Sequence, residues 1–144
     1  MLTTIPDEKR NPLIQELLEY FQTVGFEIRG VRGDFAFPQP PFLHNDGYGD
    51  QRKKMPDILA FDTLMGEFVL GLVRTSLKEL DTEESLTEYD VFLDQKDKQS
   101  GKAYRLYIIV PSSLVSEMNS LITHYIHREL WHLVTVVASR RIEI

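Results

Sequence analysis

Three groups of side chains in this sequence have the types and spacing for chemistry. The first lies on two apolar segments, Met55-Pro56-Asp57-Ile58-Leu59-Ala60-Phe61 and Phe68-Val69-Leu70-Gly71-Leu72-Val73-Arg74, joined through residues 63–66. If they pair as an antiparallel hairpin with Asp62 opposite Glu67, Asp57 falls opposite Leu72. Directly opposed residues share a face, with Cβ atoms about 4.5–5.5 Å apart. Arg74, two residues on, shares it as well. A guanidinium stays protonated and accepts no proton, so the expected role of Arg74 is to pair with Asp57. This expectation depends on register, because a one-residue slip sends a side chain to the other face. The second group is His124, His127 and His132. Histidines three apart on a helix can share a metal. Here the apolar stripe through Met118, Ile122 and Tyr125 leaves His127 on the opposite face, and a zinc site is not expected. The third group is the basic run Arg52, Lys53 and Lys54, which suits phosphate contacts, as do Arg140 and Arg141. Ser112 and Ser113 follow a strand and start a helix, where capping accounts for both. Gly47-Tyr48-Gly49 sits among prolines, away from any strand-to-helix junction that would make it a phosphate loop.

The elements that must position these groups follow from hydrophobic periodicity. Leu13, Ile14, Leu17, Leu18, Phe21 and Val24 predict a first helix over 12–24, with Asn11 as N-cap, Pro12 at the first helical position and Gly25 at the end. Phe26 and Ile28 alternate with Glu27 and Arg29 as a half-buried strand, and 35–37 reads as a further extended piece. Residues 38–55 show no periodicity and are broken by Pro38, Pro40, Pro41, Gly47 and Gly49. A connection of that length is either an insert or a loop that faces a substrate or partner. Segments 58–61 and 68–73 are near-continuous apolar runs, as strands covered on both faces are. Asp81 with Glu84, or Ser85 with Glu88, resembles a capping box ahead of the stripe Leu86, Tyr89, Phe92 and Leu93. A polar loop over 95–102 leads to a strand over 106–110, stopped by Pro111. A helix through Leu114, Val115, Met118, Leu121, Ile122, Tyr125 and Ile126 follows. A β-branched strand over 131–138 comes last, with Trp131 and Tyr107 in or near the core. The order α-β-β-β-α-β-α-β predicts an α/β fold: an antiparallel meander, then β-α-β units, in a mixed β-sheet flanked by helices.

The bulk numbers fit one such domain over 1–144. Of 144 residues, 42% are hydrophobic and 26% charged, enough for one core and too apolar for a disordered chain. The absence of cysteine removes disulfides, thiolate metal sites and a thiol nucleophile. Sixteen basic against twenty-two acidic residues give a net charge of −6, which disfavours non-specific coating of nucleic acid. Pro6, Asp7, Glu8, Lys9 and Arg10 stand where a signal peptide would be apolar, and no apolar run is long enough to span a bilayer. The cytoplasm is the expected location, with no membrane partner.

The element order, with Met55-Pro56-Asp57-Ile58-Leu59-Ala60 on one strand and Val69-Leu70-Gly71-Leu72-Val73-Arg74-Thr75-Ser76 on the next, resembles the PD-(D/E)xK superfamily of restriction-endonuclease-like folds. The flavour is that of the Holliday-junction resolvases, in which a first helix carrying a glutamate precedes a Pro-Asp strand and a Glu-x-Lys strand. The resemblance implies a site at Asp57, with Glu16 near the place of the helix glutamate, Leu72 where the second acid belongs and Arg74 for the lysine. Leu72 cannot ligate a metal. An active Mg²⁺ nuclease would therefore need Asp57 and Glu16 to converge on one ion, at ligand distances of about 2.0–2.6 Å. The resemblance thus implies a degenerate, non-catalytic nuclease-fold domain without a resident cofactor. Its partner would be a nucleic acid or nucleoprotein, with Arg52, Lys53 and Lys54 among the contacts. The alternatives are a protein-interaction module, with a homodimer through the 38–55 loop as one form of it, and a Mg²⁺-dependent nuclease acting on structured DNA.

Overall fold

A computed structural model describes residues 7–45 and 53–141. In chain order these form α1 (Asp7–Thr23), β1 (Glu27–Val31), β2 (Ile58–Asp62), β3 (Glu67–Val73), a one-turn α2 (Leu77–Leu80), α3 (Glu83–Leu93), β4 (Arg105–Val110), α4 (Val115–Tyr125) and β5 (Val134–Ala138). Short 3₁₀ turns at Ser112–Leu114 and Arg128–Leu133 flank α4. The strands make one five-stranded sheet in the order β1-β2-β3-β4-β5. The first three run antiparallel, and β4 and β5 add in parallel. The protein is thus an α/β fold with a mixed sheet flanked by helices, as the periodicity predicts. Among the described residues, no helix is long and apolar enough to cross a membrane.

Alternation along the central strands builds two cores. Val69 and Val73 of β3 and Tyr107 and Ile109 of β4 pack with Leu13, Ile14, Leu17, Leu18 and Phe21 of α1. Leu70 and Leu72, with Leu106, Ile108 and Val110, turn the other way and meet Tyr89, Phe92, Met118 and Ile122 of α3 and α4. Burial on both faces explains why β3 and β4 read as unbroken apolar runs. Crossovers of one hand that advance the sheet in one direction fall on one face, which places α3 and α4 together and leaves the opposite face to α1. Gly71 lets α1 come close, because a Cβ there would lie 2.8 Å from Leu17 Cδ2 and 3.2 Å from Phe21 Cε2. At its end α1 turns sharply into β1. Gly25 takes φ +93°, its N–H donates to Gln22 O, and the Phe26 N–H donates to Phe21 O. That pair of bonds is a Schellman closure, and the Phe21 and Phe26 rings, 5.5 Å apart, seal it.

Four local expectations need correction. The first helix begins at Asp7, so Pro12 lies inside it. The missing Pro12 N–H is tolerated because the preceding turn carries Arg10 to a buried partner described below. Residues 35–37 form no strand, and Phe35 stands fully exposed in a turn. The cap of α3 is Thr82, whose Oγ1 accepts from the Ser85 N–H at 3.0 Å, in place of Asp81 or Ser85. Finally, β5 starts at Val134, because 128–133 coil into a 3₁₀ turn in which Trp131 Nε1 donates to Ile126 O at 2.9 Å. Trp131 is left at the surface, whereas Tyr107 is buried. The described parts of the 38–55 connection are tied down: Leu43 and Lys54 exchange backbone hydrogen bonds at 2.7 and 2.8 Å.

Candidate functional site

The residues singled out by the Pro-Asp hairpin lie where β2 begins and β3 ends. Strand pairing runs as expected from Asp62 opposite Glu67 to Ile58 opposite Gly71. There it slips. The Asp57 N–H donates to Gly71 O at 2.9 Å, so Asp57 shares the partner of Ile58 and is not carried opposite Leu72. One residue of slip changes the face, and the Asp57 carboxylate turns toward α1. It is fully buried. Arg10 Nη2 donates to both of its oxygens, at 2.6 and 2.7 Å, and the Val73 N–H donates to Oδ2 at 2.9 Å. Arg10 Nη1 reaches Val73 O at 3.4 Å and Glu79 Oε2 at 3.5 Å. Glu79 in turn accepts from the Thr75 N–H at 2.5 Å and the Thr75 hydroxyl at 3.2 Å.

Arg74 does not pair with Asp57. It stays on the Leu70–Leu72 face and is buried beneath α3. Nε donates to Tyr89 Oη at 3.0 Å, Nη1 to Val73 O at 3.2 Å and Nη2 to Glu88 Oε1 at 2.5 Å. Burial alone would lower the Arg74 pKa, but Tyr89 and Glu88 outweigh it and the net direction is upward, so the guanidinium remains charged. The Tyr89 hydroxyl is pushed up by desolvation, against the pull of Arg74, and stays protonated to donate to Leu80 O at 2.8 Å. Leu72, where an acid was expected, sits in the core with Tyr89, Phe92 and Met118.

Glu16 is committed elsewhere. Its Oε1 accepts from Ser139 Oγ and its Oε2 from the Arg140 N–H, both at 2.7 Å, at the end of β5. Six residues separate it from Arg10 along α1, a rise of about 9 Å. A Mg²⁺ site built on Asp57 and Glu16 therefore does not fit: one carboxylate is filled by a guanidinium and an amide, the other by Ser139 and Arg140. Among the described residues, no three His, Asp or Glu side chains are grouped to hold a metal. His127 Nδ1 accepts from the Glu129 N–H, and His124 Nδ1 lies 2.7 Å from Ser120 O, so neither turns toward the other. Of the basic run, Arg52 lies outside the described residues, Lys53 is exposed, and Lys54 Nζ pairs with Glu84 at 3.4 Å. Lys54 thus ties the long connection to the first turn of α3.

Arg10, Glu79 and Glu88 are the partners that the sequence reading missed. A signal for Arg10 was present: Arg10, Leu13, Ile14 and Leu17 fall at i, i+3, i+4 and i+7, which places a cation at the head of the buried stripe. A charge there requires a buried counter-ion. No family model, no curated protein and no solved structure matches the chain.

Proposed function

We propose that this chain is a non-catalytic domain on a restriction-endonuclease-like scaffold, and that it works by binding a nucleic acid or nucleoprotein. The element order and the Pro56-Asp57 start of β2 support the scaffold. The observation that carries the loss of catalysis is the grip of Arg10 on both oxygens of Asp57. Phosphodiester hydrolysis by a hard cation needs free carboxylate oxygens beside the scissile phosphate. At this edge the guanidinium supplies the positive charge in the cation's stead and leaves no ligand position. Arg74, buried against Glu88, is no phosphate contact, so the binding surface lies elsewhere on the domain.

The test is incubation of the protein with branched, flapped and linear DNA in Mg²⁺ or Mn²⁺, beside a binding titration at low salt. Intact substrates that nonetheless bind are expected. Metal-dependent cleavage that disappears in Asp57→Asn would sink this reading. The protein-interaction alternative has one observation behind it: Phe35 and Phe42, beside and within the 38–55 connection, stand exposed.

A further inference from the structure

The β2–β3 hairpin has a second end, and its aromatic face is open. On the face that α3 and α4 cover farther along the sheet, Phe61 and Phe68 are cross-strand neighbours with ring centroids 4.9 Å apart. Tyr104 lies 5.1 Å beyond Phe68, its ring inclined 32° to it. All three rings are half-buried and line a groove of about 620 Å³, completed by Arg29 and by Gln95, Lys96, Asp97, Lys98 and Gln99. That volume falls within the range of about 300–1,000 Å³ usual for ligand sites.

Two features of the backbone bring cations to this groove. In β1, Ile28 faces Ala60 and Gly30 faces Leu59, so Arg29 is the extra residue of a β-bulge. Bulges re-aim a side chain, and this one lays the Arg29 guanidinium 4.8 Å from the centre of the Phe61 ring and 5.7 Å from that of Phe68. After α3 the chain folds back as a small hairpin, closed by the Lys96–Ala103 bridge and by Tyr104 N–H donating to Gln95 O at 3.0 Å. Asp97 is spent inside that hairpin, where Oδ1 accepts from the Gln99 N–H and Oδ2 from the Ser100 hydroxyl. Lys96 and Lys98 have no ion-pair partner among the described residues. Glu27 holds Arg29 from the rim at 2.5 Å. In a chain of net charge −6, this groove is lined by three cations and one carboxylate that is already engaged.

We propose that the groove is a stacking site for single-stranded nucleic acid. Phe68 and Tyr104 offer ring surface to the bases, Arg29 on Phe61 offers its guanidinium plane, and Lys96 and Lys98 meet the phosphates. Contiguous aromatic faces interleaved with cations are the recurring solution for unpaired strands, because every base has a π-face to stack. A guanidinium already lying on a ring is itself a stacking plane, so a base can extend the pile beyond Arg29. A duplex keeps its bases stacked inside and has no use for the rings, and an acidic peptide would leave them without a partner. The proposal rests on the nucleic-acid reading above and gives it an address at the opposite end of the hairpin from Asp57.

The experiment is fluorescence anisotropy of labelled oligo(dT) and oligo(U), and of a duplex of equal length, with the full chain at two salt concentrations. Wild type is expected to bind the single strands more tightly than the duplex, and less tightly as salt rises. Lys96→Glu with Lys98→Glu should weaken binding by roughly tenfold or more and flatten the salt dependence. Tyr104→Ala should weaken it by roughly tenfold, while Tyr104→Phe, which keeps the ring, should bind as wild type does. Circular dichroism melts on each variant separate loss of binding from loss of fold. If wild type binds none of the probes, this proposal and the nucleic-acid reading fall together. If it binds and these variants bind equally well, the groove assignment falls and the broader reading stands. Equal affinity for the duplex, or equal competition by polyglutamate, would overturn the stacking site in favour of a simple anion surface.

Discussion

The two ends of the β2–β3 hairpin treat charge in opposite ways. At the Asp57 end the buried charges are each answered by a partly buried partner, Asp57 by Arg10 and Arg74 by Glu88, and Glu79 joins Arg10 and the Thr75 N–H. At the Phe61–Phe68 end, Arg29 stands over half-buried rings, and Lys96 and Lys98 beside them have no ion-pair partner among the described residues. Paired burial fixes geometry and consumes the groups that would do chemistry. Unpaired exposure does little for stability and leaves groups available to a ligand. The end of the hairpin that resembles a nuclease site in sequence is accordingly the end least able to bind anything. The other end, which carries no recognisable motif, keeps Lys96 and Lys98 outside any ion pair among the described residues.

That contrast breaks most sharply at Arg10. Arg10→Ala leaves Asp57 charged, buried and uncompensated, and should cost about 3–5 kcal/mol in urea-induced unfolding. The comparison is sharpened by Arg10→Met combined with Asp57→Leu, which removes both charges and should recover most of the loss. If Arg10→Ala is nearly neutral, the closed end is not held by this pair. Next comes Arg74→Lys, which keeps the charge but loses the fork that reaches Tyr89, Glu88 and Val73 O at once. A loss of about 2 kcal/mol is expected by the same measurement. The smallest effect belongs to the open end: Lys96→Glu with Lys98→Glu should alter stability by no more than about 0.5 kcal/mol. A larger loss there would mean that the groove is part of the scaffold and that its cations are not free.

How much of this was legible in the sequence differs from element to element, for physical reasons. The strands of the sheet centre announced themselves, because burial on both faces leaves Val69–Val73 and Leu106–Val110 no polar position. Five cross-strand pairs of the β2–β3 hairpin match the register assumed from Asp62 opposite Glu67. The site failed at the next residue, because the slip at Asp57 is a local backbone adjustment with no composition signal. The partner of Asp57 was hidden for another reason. Pro12 looks like a helix start, and reading it so left Arg10 outside the helix that carries it. Propensity was overruled there by a tertiary ion pair 47 residues apart in sequence. The Arg29 groove was invisible because it depends on a bulge in β1 and on the hairpin after α3, neither of which alters hydrophobic periodicity.

The bond between Glu16 and the end of β5 has a consequence for how the chain assembles. It joins residues 123 and 124 positions apart, so α1 can emerge early in synthesis but cannot be fully seated until β5 has been made. Contacts of such long range are formed late, since the entropy of closing the intervening loop must be met before they add anything. During translation the apolar stripe of α1 can cover the meander of β1, β2 and β3, while Glu16, in the middle of the helix, waits for a strand not yet made. Once β5 is made, Ser139 and Arg140 act as a latch that holds the middle of α1 at Glu16.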